Sequence, residues 1–215
     1  MVMGDRCEVV VVGIDGGGVD DLLSLYAIGR DRDTRAWHGW SRSWVDESLL
    51  EERPAIAPRL RDFERDGDLV ICAPDEQVEQ LAGVVAEIHA SGKLAKEAAI
   101  GVDAAGIGAV VDAIVEEGVP FESIKAVGQG WRLSGNIQTA SRKVIDGSFW
   151  HADQPIMAWA VGNVRVELKG SNLYASKQVA GAAKIDPFIA MLNAVDFAAR
   201  NPEPAQPAAA DVVFL

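Results

Sequence analysis

No stretch of the chain approaches the roughly 18 uninterrupted apolar residues that a membrane helix needs. The apolar run at residues 9–14 directly follows Asp5, Arg6 and Glu8, so it reads as a buried strand and not as a signal peptide. Cysteine is scarce: Cys7 and Cys72 each sit at or in an apolar run, which suits two buried thiols in a reducing compartment better than a disulfide. The three histidines, His38, His89 and His151, have no Cys or His at zinc-ligand spacing and read as structural or surface residues. A phosphate-binding loop is missing too. Gly16-Gly17-Gly18 does not fit G-x-G-x-x-G at the start of a helix, G-x-x-x-x-G-K-S/T occurs nowhere, and a nucleotide-binding P-loop is excluded. Positive charge is the last shortage. Against 32 acidic side chains stand 20 lysines and arginines, a net charge of −12, and no dense basic patch exists. Unaided affinity for nucleic acid should therefore be weak and salt-sensitive.

What is present suits one globular domain. The 215 residues are 49% hydrophobic, enough for a substantial core. The acidity is uneven: residues 1–124 carry 11 basic and 25 acidic side chains, whereas residues 125–215 carry 9 and 7. The last part of the chain is thus the part able to face a phosphate backbone.

Residues 8–14 (EVVVVGI) form a β-branched run that stops at a glycine-rich turn, which predicts a central strand. Residues 22–30 and 34–45 predict two further strands of an antiparallel meander. Residues 46–68 are charged and partly helical, interrupted by Pro54 and Pro58, and residues 69–73 extend or flank the sheet. Apolar residues at helical spacing predict helices over 75–91 and 106–118, with short strands at 99–103 and 124–127. Residues 131–144, 155–160 and 187–200 read as helices. Gly170-Ser171-Asn172 is a hairpin turn between strands at 165–168 and 173–175. The fold class is α/β, a mixed central sheet flanked by helices with an added β-hairpin. Residues 1–202 make one domain, followed by a loosely held Pro/Ala-rich tail at 203–215.

Three aspartates stand at the ends of elements: Asp15 after the first strand, Asp103 after the strand at 99–103, and Asp186 before the last helix. Neighbouring strands would bring Asp15 and Asp103 together, with Asp186 supplied by the adjacent helix. Converging carboxylates repel one another and stay ionised only around a cation. Hard divalent ions such as Mg²⁺ or Mn²⁺ take such oxygen ligands, and two ions can clamp both sides of a phosphodiester displacement. Taken singly, each aspartate reads better as a cap or turn residue, Asp186 above all, because a proline follows it; their joint placement favours the metal site. Asp21 is placed to act as a fourth acidic ligand; Asp20 reads as either a ligand-side or a solvated residue. Gly16-Gly17-Gly18 is a tight turn through which metal or DNA backbone can approach. Lys184, Lys177, Arg142 and Lys143 are candidate DNA contacts, each also readable as an ordinary solvated cation.

These residues carry a family likeness. Gly13-Ile14-Asp15-Gly16-Gly17-Gly18 with Asp20-Asp21-Leu22-Leu23 resembles the start of the nuclease domain of large terminase subunits from tailed double-stranded DNA bacteriophages. Gln129-Gly130-Trp131-Arg132-Leu133-Ser134-Gly135, Trp159-Ala160-Val161-Gly162-Asn163, Lys177-Gln178, Ala183-Lys184-Ile185-Asp186-Pro187 and Asn201-Pro202 follow in that family's order. The resemblance runs from about Val9 to Pro202. It implies a ribonuclease H-like, resolvase-type nuclease that uses two Mg²⁺ or Mn²⁺ ions. Its catalytic acids fall on Asp15, Asp103 and Asp186, with Asp21 as the further metal ligand. It also implies double-stranded DNA as substrate, and the terminase ATPase domain, small terminase subunit and portal protein as partners. The setting it implies is the cytoplasm of a bacterial host, with no membrane partner. The hairpin resembles a family element near the DNA path. The ATPase motor that normally precedes this domain has no counterpart, so the chain reads as an excised nuclease domain or as a split or degenerate prophage product. Two other readings stay open: a Holliday-junction resolvase-like or other ribonuclease H-like nuclease, and a non-catalytic docking module of the packaging motor.

Overall fold

The computed structural model describes residues 6–18, 20–103, 108–178 and 184–205. The β-branched run over Cys7–Asp15 forms β1, the centre of the sheet. β2 (Leu23–Asp31) and β3 (Trp37–Asp46) follow as an antiparallel meander, with Ile14 opposite Leu25 and Tyr26 opposite Ser41. α1 (Glu47–Glu52), α2 (Ala57–Arg65) and β4 (Leu69–Cys72) come next, and β4 pairs in parallel with the second half of β3. Pro58 does not interrupt a helix; it sits in the first turn of α2, where its missing N–H costs nothing. α3 (Pro74–Ala90) leads to β5 (Ile100–Val102), which lies parallel to β1 on its other side. α4 (Gly108–Glu116) and β6 (Ile124–Ala126) complete that flank. The sheet therefore runs β4-β3-β2-β1-β5-β6.

The second half departs from expectation in two places. The helix expected over 131–144 begins as a 3₁₀ turn, Gly130–Leu133, and becomes α-helical only in α5 (Ser134–Ile145). β7 (Phe149–His151) was not expected at all; it pairs with the first half of β3, at Trp37, His38 and Gly39. α6 (Pro155–Gly162), the hairpin β8 (Val164–Lys169) and β9 (Asn172–Lys177), and α7 (Asp186–Ala198) close the fold.

α7 lies across β1, β2 and β5 on one face. α3 covers the other, where the indole of Trp44 donates to Gln80 of α3 at 3.2 Å. The main core fills both interfaces, and a smaller cluster around Leu49, Leu60, Phe63 and Ile156 seats α1, α2 and α6. Residues 203–205, assigned to the tail by sequence, bond to the chain at residues 94–96, including Lys96 N–H to the Glu203 carbonyl at 2.9 Å. Residues 206–215, the rest of that tail, lie outside the described residues, as do residues 104–107 at the expected start of α4. Among the described residues no helix is long and apolar enough to cross a membrane.

Candidate active site

The site is built by three elements that end at one edge of the sheet. Ile14 of β1 pairs with Val102 of β5, so Asp15 and Asp103 follow as neighbours at the ends of parallel strands. Gly16 and Gly17 then take φ values of +93° and +91°, a region open to glycine and strained for other residues. A Cβ at Gly16 would stand 1.8 Å from the Leu22 carbonyl oxygen, so only glycine lets the chain double back this tightly into β2. Asp21 lies on that returning segment. Asp186 arrives from above. A Cβ at Gly13 would stand 2.0 Å from the Ala190 carbonyl oxygen, so glycine in β1 allows α7 to rest directly on the strand. Asp186 is the first residue within α7; Ile185, not Asp186, holds the N-cap position. Its carboxylate instead accepts the Leu22 N–H at 3.4 Å.

Asp15, Asp21, Asp103 and Asp186 thus line one cavity of about 450 Å³, together with Gln129, Leu133, Ala175 and Lys177. Its electrostatics are unbalanced. Burial, followed by the charges of Asp186, Asp103 and Asp21, pushes the proton affinity of Asp15 up to about 8. Burial and then the charge of Asp21 raise Asp186 to about 6, with Lys177 pulling the other way. Four carboxylates around one cavity form an all-oxygen donor set suited to a hard divalent cation. As placed, no three Asp, Glu, His or Cys side chains among the described residues converge on a single point, so the acids ring the cavity instead of forming a closed cage.

The cations expected at DNA divide into two groups. Lys177, on β9, lines the cavity and pairs with Asp21 at 3.0 Å. Lys184 lies beside the site but is turned inward: only 1% of its side chain is exposed, and its ammonium bonds the Asp20 carbonyl and, at 2.8 Å, the Asp20 carboxylate. Arg53 grips the same carboxylate from the end of α1 at 2.6 and 3.1 Å. As folded, Lys184 braces the loop that carries Asp21. Arg142 and Lys143 do not line the cavity. They lie in the last turn of α5, where Lys143 stands 4.4 Å over the ring of Trp37 and 3.3 Å from the Ser148 hydroxyl. Trp37 begins β3, whereas Ser43 of the same strand marks the level of Asp15, through Ser24. Six residues of strand, roughly 20 Å, separate that pair from the acids. None of the three histidines lines the cavity, and both cysteines are free thiols.

Residues 72–202 match the model of the terminase large subunit, endonuclease domain. The chain belongs to that family. Two solved structures share the fold of this terminase nuclease domain. The HK97 bacteriophage large terminase superposes with a TM-score of 0.71 at 20% identity, over 90% of this chain and 41% of that one. The large terminase nuclease from thermophilic phage G20c superposes with a TM-score of 0.56 at 11% identity, over 89% of this chain and 82% of that one. The chain therefore spans about two fifths of the HK97 protein's length. No curated protein matches it by sequence.

Two features beside the cavity carried little or no mark in the sequence. Asn193 is fully buried in α7; its amide donates to the Ile14 carbonyl at 2.9 Å and its oxygen accepts from Gln129 at 3.0 Å. This chain of bonds fixes the end of β1 one residue before Asp15. The available signal was a lone asparagine on the apolar side of the last helix, since a buried amide needs partners. The Lys184–Asp20–Arg53 brace left no signal, because its members are 33 and 164 residues apart.

Proposed function

We propose that this domain is a metal-dependent DNA endonuclease that hydrolyses phosphodiester bonds of double-stranded DNA by two-metal catalysis. Asp15, Asp103 and Asp186 serve as its catalytic carboxylates, and Asp21 as a further ligand. The observation that carries this reading is the meeting, around one cavity, of four aspartates delivered by β1, the glycine turn, β5 and α7. Paired Mg²⁺ or Mn²⁺ ions, when bound, supply an activated water and offset the charge that develops on the departing 3′ oxygen. The residues of the chain do the rest. Asp15 and Asp186, poor at carrying charge alone, hold it once a cation is present. Asn193 and the Asp20 brace fix the directions from which Asp15 and Asp21 enter. Lys177 exchanges Asp21 for the phosphate that enters the cavity. The terminase ATPase domain, the small terminase subunit and the portal protein are the partners this reading assigns, in the cytoplasm of the infected bacterium.

Replacing Asp15 with Asn tests it. The variant should fold, shown by an unchanged circular dichroism spectrum, and lose at least about a thousandfold in plasmid cutting with Mn²⁺, as expected when several kcal/mol of metal-borne stabilisation disappear. Undiminished cutting would remove Asp15 from the mechanism.

A further inference from the structure

A turn that supplies two of the cavity's lining residues carries a pair of side chains that the proposed chemistry does not use. The 3₁₀ turn Gly130–Leu133 presents Gly130 and Leu133 to the cavity, while Trp131 and Arg132 between them are exposed. Half of the Trp131 surface, 50%, is open to solvent. The Arg132 guanidinium lies 4.9 Å from the Trp131 ring centre, and its stem packs over Gly128, where a Cβ would stand 2.3 Å from Arg132 Cδ. The turn is anchored: the Ser134 hydroxyl at its end accepts the Leu173 N–H of β9 at 2.9 Å.

The charges nearby single out Arg132. Lys177 and Lys184, the other cations on segments that build the cavity, are paired with Asp21 and Asp20. Arg132 has no ion pair among the described residues. In a chain of net charge −12, a guanidinium without an ion pair, on a turn that borders an acidic cavity, is where a polyanion gains most. An exposed indole beside it offers a flat apolar face, the surface on which nucleobases stack without regard to sequence.

We propose that Trp131 and Arg132 form a strand-holding site next to the scissile phosphate. Arg132 takes a backbone phosphate, and Trp131 takes the face of a base that has left the duplex stack. This rests on the nuclease reading above. The site favours DNA that is locally unpaired near the point of cutting.

Fluorescence anisotropy in Ca²⁺ tests it, with a short labelled duplex and the same duplex carrying a central unpaired bubble. Trp131→Ala should weaken binding to the bubble about tenfold and to the intact duplex less, and Trp131→Phe should keep most of the affinity. Arg132→Ala should weaken both and lower the salt dependence by about one phosphate contact. Mn²⁺ binding, followed by calorimetry, should match the parent in every variant. The proposal is overturned if Trp131→Ala binds both DNAs like the parent, or if Arg132→Ala leaves the salt slope unchanged. A parent that cuts DNA alongside such variants confines the failure to this site. A parent that neither binds nor cuts DNA with Mn²⁺ overturns the nuclease reading as well.

Discussion

At the start of β1, Glu8 is shared by Arg30, at 2.6 Å, and Arg35, and both guanidinium groups also bond Asn201. Nearby, Asp31 caps a turn through the Asp33 and Thr34 N–H groups, which with the Thr34 hydroxyl hold its carboxyl down at about 2. At the other end of the same strand, Asp15 and Asp186 face other acids, and their proton affinities rise instead. Seven residues apart, roughly 23 Å, one strand carries a matched carboxylate at its start and an unmatched one at its end. The matched end ties the Asn201 region, past α7, onto the sheet. The unmatched end stores repulsion that a bound cation would relieve. Asp20 sharpens the contrast: it lies five residues beyond Asp15, yet Arg53 and Lys184 hold its carboxyl well below the usual range. Proximity to the cavity does not decide which acids are left uncompensated; the placement of Lys184 and Arg53 does.

The matched end should be the costlier to break. Arg30 is 9% exposed, so Glu8→Ala strands a nearly buried guanidinium with Asn201 as its remaining side-chain partner among the described residues. A loss of about 3 kcal/mol is expected in urea unfolding, with no change in Mn²⁺ affinity. A loss of metal binding instead would mean that the two ends are coupled through β1.

The unmatched end predicts a pH dependence of opposite origin. Asp15 titrates near 8 in the folded metal-free domain and near 4 when unfolded. Between those values the native state holds a proton that the unfolded chain has released. Stability from this group is therefore complete below about pH 4 and is lost as the pH rises through 8; Asp186 adds to the trend up to about 6. Metal-free parent should lose about 1 kcal/mol of stability per pH unit across the middle of that window relative to Asp15→Asn. Mn²⁺ should flatten the difference, and its affinity should increase with pH as bound protons are displaced. Parallel stability curves for the two proteins would show that Asp15 is already ionised and matched.

Lys184→Met probes the brace between the two kinds of acid. Methionine fills the buried volume but leaves the Asp20 carbonyl without its ammonium. Mn²⁺ affinity should fall about tenfold, the low end of what outer-shell positioning groups contribute. Arg53→Ala, at a side chain 41% exposed, should cost less. Equal metal binding in all three proteins would reduce the brace to a structural feature.

The strands and long helices were legible because each carries its own pattern: alternating or continuous β-branched runs, and helical spacing in α3 and α7. β7 was not, since Phe149–His151 is too short to show a period and becomes a strand only by pairing with the edge of β3. The acids at the site were legible as ends of elements, because a strand that stops at a turn fixes where its last side chain lies. Their counter-ions were not. Whether Lys184 meets DNA or Asp20 depends on a contact across 164 residues, which no local pattern records.

The smallest effect tests the contrast from outside. Arg142 and Lys143 are cations in the basic second half of the chain, and by charge alone they belong to the DNA surface. Lys143, though, stands over Trp37 near the start of β3, at the end of the sheet where Glu8 and Asp31 lie. Substituting both with Gln should leave cleavage and DNA affinity within about twofold, and the salt slope unchanged, because no phosphate contact is removed. Lys143→Gln should cost only several tenths of a kcal/mol in stability through its contact over Trp37. A drop in DNA affinity with a shallower salt slope would extend the DNA path along the whole length of the strands. In that case the matched end of the sheet would have to be counted as part of the binding surface.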